Sequence, residues 1–349
     1  MIMKSIEFKK EFITARIRNP LKNFELSEEK IEVRHDPLTG RTMRISKPKG
    51  LDKFPDGDPL NRFASEAKPC FFCAGKVETT TPMMPQDILE AGRIQVGEAF
   101  LFPNLSGFGE FSAVCIFSKK HFIAIDEFTA TQILNALKAC QQYFTVISEF
   151  DQKQLYPSLN GNYLLPAGSS ILHPHLQPFL DSIPTNYHRD LLISTENFYD
   201  RYNANFWEKL KHEEKDGERF LFEIDDSFFF TPYAPMGFNE ICGIIGNGES
   251  FPDLSETVLQ NLAQGIRNIF QFYHDIRHDS FNVVLFSPPI NSLNRTGFPC
   301  FVRICTRPAF TNFYRNDVTF FEKYHLETMI DKSPEQVAEE FRKAGTYTK

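Results

Sequence analysis

Two short runs carry side chains able to do chemistry. Cys70-Phe-Phe-Cys73 sets two thiols three residues apart, a spacing that lets two thiolates reach one tetrahedral metal ion. A redox pair is the rival reading, but that motif belongs between a strand and a helix, whereas this one follows a polar stretch, Leu51 to Pro69, rich in Pro, Gly and Asp. A closed metal site needs two further ligands, for which His121 and His173 are the candidates. The second run is His173-Pro-His175-Leu-Gln177. Alternate side chains of a strand share a face, so two imidazoles and a carboxamide point to one side. A neutral imidazole attacks phosphorus and its phosphoramidate is labile, so one histidine can carry a phosphoryl or nucleotidyl group between two half-reactions. A neighbouring amide can donate to the charge that develops on the phosphate. Just upstream, Ala167-Gly-Ser-Ser170 supplies small residues and hydroxyls that let a phosphate approach the backbone.

The elements that must position these groups recur as an approximate internal repeat. In the first copy an apolar strand, Phe111–Phe117, precedes a helix marked by Ile133, Leu137, Cys140, Phe144 and Ile147, with Thr129 and Gln132 as its capping box. In the second, Phe238–Ile245 precedes Ser255 and then Leu259, Leu262, Ile266, Ile269 and Tyr273, again a helix with a hydroxyl cap. A loop and another strand follow each helix, ending in a shared frame: Leu172-His-Pro-His-Leu-Gln-Pro178 and Val302-Arg-Ile-Cys-Thr-Arg-Pro308. Strands, helix, strand in each copy predict antiparallel sheets with helices packed on one face, an α+β fold. Around this frame, Arg34 to Lys49 reads as a turn and then a strand through Met43 and Ile45, and Leu51 to Pro69 as a loop. Glu196 to Glu218 reads as one amphipathic connecting helix, and the charged first 30 residues as an arm or peripheral helix.

Composition bounds the partners. The 349 residues are 42% hydrophobic and include 37 Phe, ample for a large core, while a net charge of −7 disfavours a nucleic-acid partner. No apolar run reaches the length of a membrane helix and MIMKSIEFKKEF has no signal-peptide core, so no membrane is expected. Seven thinly spread cysteines suit reduced thiols and a cytoplasmic location.

Taken in order, Arg34-x-Asp-Pro-Leu-Thr-Gly-Arg41, Pro69-Cys-Phe-Phe-Cys-Ala-Gly75, Phe117-Ser-Lys-Lys-His121, Ala167-Gly-Ser-Ser170 and His173-Pro-His-Leu-Gln177 resemble the galactose-1-phosphate uridylyltransferase family of the histidine-triad (HIT) superfamily. The resemblance is strong over residues 31–180 and weaker beyond, through Phe230-Thr-Pro-Tyr233 and the Ser333–Glu339 helix. It implies two HIT-like half-barrel repeats: an arm at 1–30, a catalytic half with the metal site at 31–195, and a degenerate half at 196–349. It implies that Cys70, Cys73, His121 and His173 bind a structural Zn2+, that His175 is the nucleophile, and that Gln177 binds the phosphate of the intermediate where HIT hydrolases carry a third histidine. Asn162 and Ser170 would contact the nucleotide phosphates, Asn104 the nucleoside, and Arg34 would lie near phosphates.

The implied enzyme is a nucleotidyltransferase of carbohydrate metabolism. It moves NMP from a nucleotide sugar through a nucleotidyl-histidine to a sugar 1-phosphate or phosphate. A nucleotide-sugar phosphorylase or HIT-type hydrolase and a non-catalytic nucleotide-binding protein are the alternatives, and a homodimer is an open assembly. The chain departs from the family where some members carry a second metal: their His-x-His falls at Arg303 and Cys305 and their carboxylate near Asn186, so that site is expected to be absent. The hexose-binding stretch is poorly matched around Phe320 to His325, which leaves base and sugar open. In the second copy, Arg303 or Arg307 is expected to serve an anionic sugar phosphate.

Overall fold

The computed structural model describes residues 6–46, 57–292, 297–311 and 316–345. In chain order the strands and helices are β1 (Lys10–Asn19), β2 (Glu25–His35), β3 (Thr42–Ile45), α1 (Pro59–Glu66), α2 (Val77–Thr80), β4 (Ile94–Val96), β5 (Ala99–Pro103), β6 (Phe111–Ile116), α3 (Ala130–Phe150), β7 (Ser158–Tyr163), β8 (His175–Leu180), α4 (Asn186–Tyr202) and α5 (Phe206–Lys215). There follow β9 (Phe220–Ile224), β10 (Ser227–Phe230), β11 (Phe238–Ile245), α6 (Glu256–Asp275), β12 (Phe281–Phe286), β13 (Cys300–Thr306), β14 (Thr328–Ile330) and α7 (Pro334–Ala344).

Ten strands form one sheet in the order β4-β5-β6-β8-β7-β12-β13-β11-β10-β9, every pairing antiparallel. The order is palindromic. Each half is three strands followed, after its helix, by a crossed pair, and the halves join where β7 pairs with β12. The fold is α+β, and the internal repeat is written into the sheet itself.

The repeat follows from local signals. Thr129 accepts from the Gln132 amide while Gln132 reaches back to the Thr129 N–H, so α3 starts at a complete capping box. Ser255 caps α6 with its hydroxyl alone, accepting from the Val258 N–H. Both helices lay their apolar stripes on one face of the sheet: Ile133, Leu137, Phe144, Leu259, Leu262 and Ile269 share one core with Leu159, Leu176, Leu285 and Ile304. On the opposite face two covers leave a gap. Helices α4 and α5 place Leu191, Trp207 and Leu210 on Ile244, Phe286 and Phe301, while the segment around Cys70 puts Phe72 and Val77 on Phe100, Phe102, Val114 and Ile116. The strand ends between those covers are where the site lies.

Three expectations change. The first 30 residues hold no α-helix among the described residues, only a 3₁₀ turn at Pro20–Lys22; on either side of it β1 and β2 form a long antiparallel ribbon, ten residues paired with ten, whose second strand joins β3 and β14 in a separate small sheet. Its alternation of apolar and charged residues is exposed on both sides, which blurs the period that marks a half-buried strand. Within Leu51 to Pro69, residues 51–56 lie outside the described residues, and the rest is not all loop: Asp58 accepts from the Asn61 N–H and Pro59 opens α1. The connecting helix is two helices. Asn203 adopts a left-handed conformation that ends α4, and the Asn205 side chain accepts from the Trp207 and Glu208 amides to start α5. The turn and strand of Arg34 to Lys49 form as read through Ser46, with Gly40 at φ 72° closing the turn and β3 beyond it; residues 47–49 lie outside the described residues.

Candidate active site and metal centre

The four candidate metal ligands converge from three places in the chain. Cys70 and Cys73 sit on a tight turn in which the Cys73 N–H donates to the Cys70 carbonyl, His121 lies just beyond β6, and His173 stands two residues before β8. Their ligand atoms all lie within 4.8 Å of one another. The two sulfurs are 3.8 Å apart, and two thiolates each about 2.3 Å from a tetrahedral zinc ion would be separated by about 3.8 Å. His173 Nδ1 lies 3.7 and 3.8 Å from the sulfurs of Cys70 and Cys73, and His121 Nδ1 lies 3.2 Å from that of Cys73. The far nitrogen of His173, Nε2, is 2.8 Å from the Ser118 carbonyl. A carbonyl only accepts, so Nε2 carries the proton and Nδ1 turns a lone pair toward the thiols.

Burial pushes the His173 imidazole down to about 4 and lowers His121, so both rings are neutral, as ligands must be. Burial also raises the Cys70 thiol; coordination is what reverses such a penalty, by holding the thiolate. The cluster can hold a metal ion.

His175 opens β8 on the same turn of chain. Its Nδ1 is 2.9 Å from the His173 carbonyl, so Nδ1–H donates there and Nε2 keeps its lone pair. Burial lowers its basicity, partly opposed by that hydrogen bond. Phe72, from the cysteine turn, sets its ring edge against both His173 and His175, with centroids 5.9 and 5.7 Å away. The metal cluster and the candidate nucleophile are thus one packed unit.

Strand register then assembles the neighbours. Gln177 pairs with Asn160, Asn160 with Val284, and Val284 with Arg303. One row further along, Ile116 pairs with His175, and Asn162 pairs with Asn282, which pairs with Cys305; continuing the β7–β8 ladder by two residues sets Asn162 opposite His175. A band of His175, Gln177, Asn160, Asn162 and Asn282 therefore lies on the face between the two covers, across the seam of the halves. Ser170 is exposed in the loop between β7 and β8. Asn104 extends the β5–β6 ladder, its N–H donating to the Ser112 carbonyl while its side chain accepts from the Ser106 N–H.

Arg34 lies elsewhere. Its buried guanidinium donates to Glu32, to both oxygens of Glu335 and to the Tyr233 carbonyl, bracing the small sheet against α7. The second-copy arginines are committed as well. Arg303 grips Glu240 through two nitrogens and Tyr187 through the third, and Arg307 holds Asp317 in a fork. The expectation that one or the other serves an anion therefore gives way to ion pairing of both. Sequence reading missed Asn160 and Asn282; the alternation Asn160-Gly-Asn162 beside the histidine strand was the available signal for the first, and nothing local marks the second.

No protein-family model matches the sequence. A protein of Archaeoglobus fulgidus described as uncharacterized is 31% identical over 338 residues, covering 97% of this chain and 98% of that one. Among solved structures, an ADP-glucose phosphorylase from Arabidopsis thaliana with bound ADP-glucose superposes with a TM-score of 0.71 at 18% identity, over 90% of this chain and 99% of that one. A GalT-like protein from the same plant gives 0.69 at 18% identity over 89% and 98%, and a uridylyltransferase gives 0.64 at 18% identity over 89% and 97%.

The fold is thus the one shared by these GalT-like, ADP-glucose phosphorylase and uridylyltransferase structures, here with its two copies joined in one ten-stranded sheet. Within that class, the chain belongs to one family with the Archaeoglobus fulgidus protein, matched along nearly its whole length. No helix among the described residues is long and apolar enough to cross a membrane.

Proposed function

We propose that the protein is a zinc-containing nucleotidyltransferase that moves NMP from a nucleotide sugar to a sugar 1-phosphate or to phosphate through a covalent intermediate on His175. The observation that carries this reading is the fixed tautomer of His175. With Nδ1–H held by the His173 carbonyl, Nε2 is an unprotonated nucleophile facing a strip of amides. In the first half-reaction Nε2 bonds to the α-phosphorus of the donor, the bond from phosphorus to the sugar phosphate oxygen breaks, and the sugar 1-phosphate leaves with that electron pair. In the second, an oxygen of the acceptor phosphate bonds to the same phosphorus, the P–N bond breaks, and the electron pair returns to Nε2. Gln177 and Asn162 donate to the phosphoryl oxygens, whose charge is greatest at the trigonal-bipyramidal transition state. Ser170 and Asn104, at the loop ends of the same face, are assigned to the rest of the nucleotide.

Cys70, Cys73, His121 and His173 would hold the zinc, which when bound supplies a four-ligand crosslink of the turn, the loop after β6 and the start of β8. His173 is shared between that crosslink and the carbonyl that orients His175. ADP-glucose heads the donors to try, since a similar fold binds it, followed by UDP- and GDP-hexoses. Incubation with each donor and intact-mass measurement should give an adduct of the corresponding NMP, absent from His175→Ala. An adduct retained by that variant, or none with any donor, overturns the reading.

A further inference from the structure

We infer that Asn282, held from behind by Arg307 and Asp317, is a positioning residue that turns the Asn162 amide so that its N–H bonds face His175. The inference rests on the nucleotidyl-histidine reading and deepens it, because it gives the second half of the chain a defined part in the first half's site.

The argument is one of donors and acceptors. Arg307 Nη1 lies 2.6 Å from Asn282 Oδ1, and a guanidinium only donates, so that end of the Asn282 amide must be its oxygen. Asn282 Nδ2 lies 3.0 Å from the Ala167 carbonyl, which only accepts. Two one-way partners therefore fix the orientation of this amide, with no freedom to flip. Its remaining N–H lies 2.6 Å from Asn162 Oδ1. Asn162 must then present its oxygen to Asn282 and its own Nδ2 away from it, and among the described residues no partner takes those two hydrogens.

The register sets Asn162 opposite His175, so the free donors lie on the side where a phosphoryl group on Nε2 would be. Asn160 is less open to a ligand. One N–H of its Nδ2 is spent on the Gln177 carbonyl and its oxygen accepts from Ser158, so its amide is tied to its own sheet and keeps one N–H against the two of Asn162. Behind the relay, the fork between Arg307 and Asp317 is mostly buried, at 14% and 8% side-chain exposure, so the guanidinium is anchored before any ligand arrives. An oriented donor needs no reorganisation when charge develops, which is where preorganised amides gain their effect.

The test is a double-mutant cycle. Asn282→Asp is nearly isosteric and still accepts from Arg307, but it offers Asn162 an oxygen and so draws Nδ2 away from His175. We expect Asn282→Asp and Asn162→Ala each to weaken calorimetric binding of ADP, UDP or GDP and to slow formation of the nucleotidyl adduct by roughly ten- to a hundredfold, the range for a hydrogen bond to a charged group. In the Asn162→Ala background, Asn282→Asp should cost less than about twofold. A full loss in both backgrounds, or none in the wild-type background, overturns the relay. Should Asn282→Asp melt without a cooperative transition, Asn282→Ser, whose hydroxyl is too short to reach Asn162, takes its place and must show the same non-additivity. If the wild-type protein binds diphosphates but forms no adduct with any donor, the nucleotidyl reading fails while the binding cycle still decides the relay; if it binds no diphosphate, both fail.

Discussion

The corresponding strands β8 and β13 stand in one sheet with two strands, β7 and β12, between them, and have opposite chemistry. At β8 the side chains turned to the gap between the covers are neutral: His175 offers a lone pair and Gln177 amide hydrogens that find no partner among the described residues. At β13 the same face carries charge that is already spent. Arg303 and Glu240 form an ion pair with side-chain exposures of 6% and 3%, under α4 and α5. A buried charge must be paired, and a paired charge is unavailable to a ligand. The difference teaches that the repeat was kept as architecture while its two copies diverged in what they leave open.

His175 is the point at which that contrast breaks most completely. His175→Ala should abolish the nucleotidyl adduct while nucleotide binding, measured by calorimetry, largely survives on Asn162 and Gln177. His175→Gly should regain turnover with free imidazole, which fits the space left by the ring. Failure of imidazole to restore turnover to a variant that still binds nucleotide would place the essential group elsewhere.

Next in size is the metal cluster, which lies wholly in the first half. Among the described residues, no second group of histidine, cysteine and carboxylate atoms gathers in this way. Metal analysis should find one zinc per chain. Cys73→Ser or His173→Ala should lose it, lower the melting temperature and resist imidazole rescue, because the turn and β8 come apart together. Two tightly bound metals per chain would remove the contrast between the halves.

In the second half the charged residues should matter for stability and not for chemistry. Arg303→Met leaves Glu240 buried without its partner and should cost about 3–5 kcal/mol in denaturant unfolding. The double variant Arg303→Met/Glu240→Leu should recover most of that loss. Adduct formation per folded molecule should stay within about threefold of wild type, and a larger fall would give Arg303 a direct part in the reaction.

The smallest effect sharpens the same point through pH. Burial alone would raise the Glu335 carboxyl, but Arg34 and Arg219 hold it at about 2. A fall from its ordinary 4.5 to about 2, at roughly 1.4 kcal/mol per pH unit, sets an upper bound of about 3.5 kcal/mol, which solvent screening of the partly exposed carboxylate cuts to roughly 1–2 kcal/mol. Because the folded value is depressed, that stability is present above about pH 4.5 and is lost as pH falls toward 2. Glu335→Gln should flatten the acid limb of the stability curve between those values. An unchanged acid limb would show that the Arg34–Glu335–Arg219 cluster contributes little.

Much of the site could be read from local pattern. The CxxC spacing, the alternation of His173, His175 and Gln177, and the hydroxyl caps of α3 and α6 are short-range signals that depend on neighbours within a few residues. The β1–β2 ribbon escaped because it is exposed on both faces, and the helix break at Asn203 because a single left-handed residue inside an amphipathic pattern leaves the period intact. Asn282 could not be found at all. Its role exists only through Asn162, 120 positions earlier and hydrogen-bonded to it, and through Arg307, whose pairing with Asp317 no spacing announces.

What the sequence determined by itself, then, is which groups are present and which of them share a strand face, because the two-residue period and the helix caps are properties of the local backbone. Tertiary structure decided which face lies open and which charges are free. Those depend on where α4, α5 and the cysteine turn come to rest on the sheet. An arginine written identically at 303, 307 or 34 is a ligand for anions or a buried brace according only to whether a carboxylate from a distant segment reaches it first.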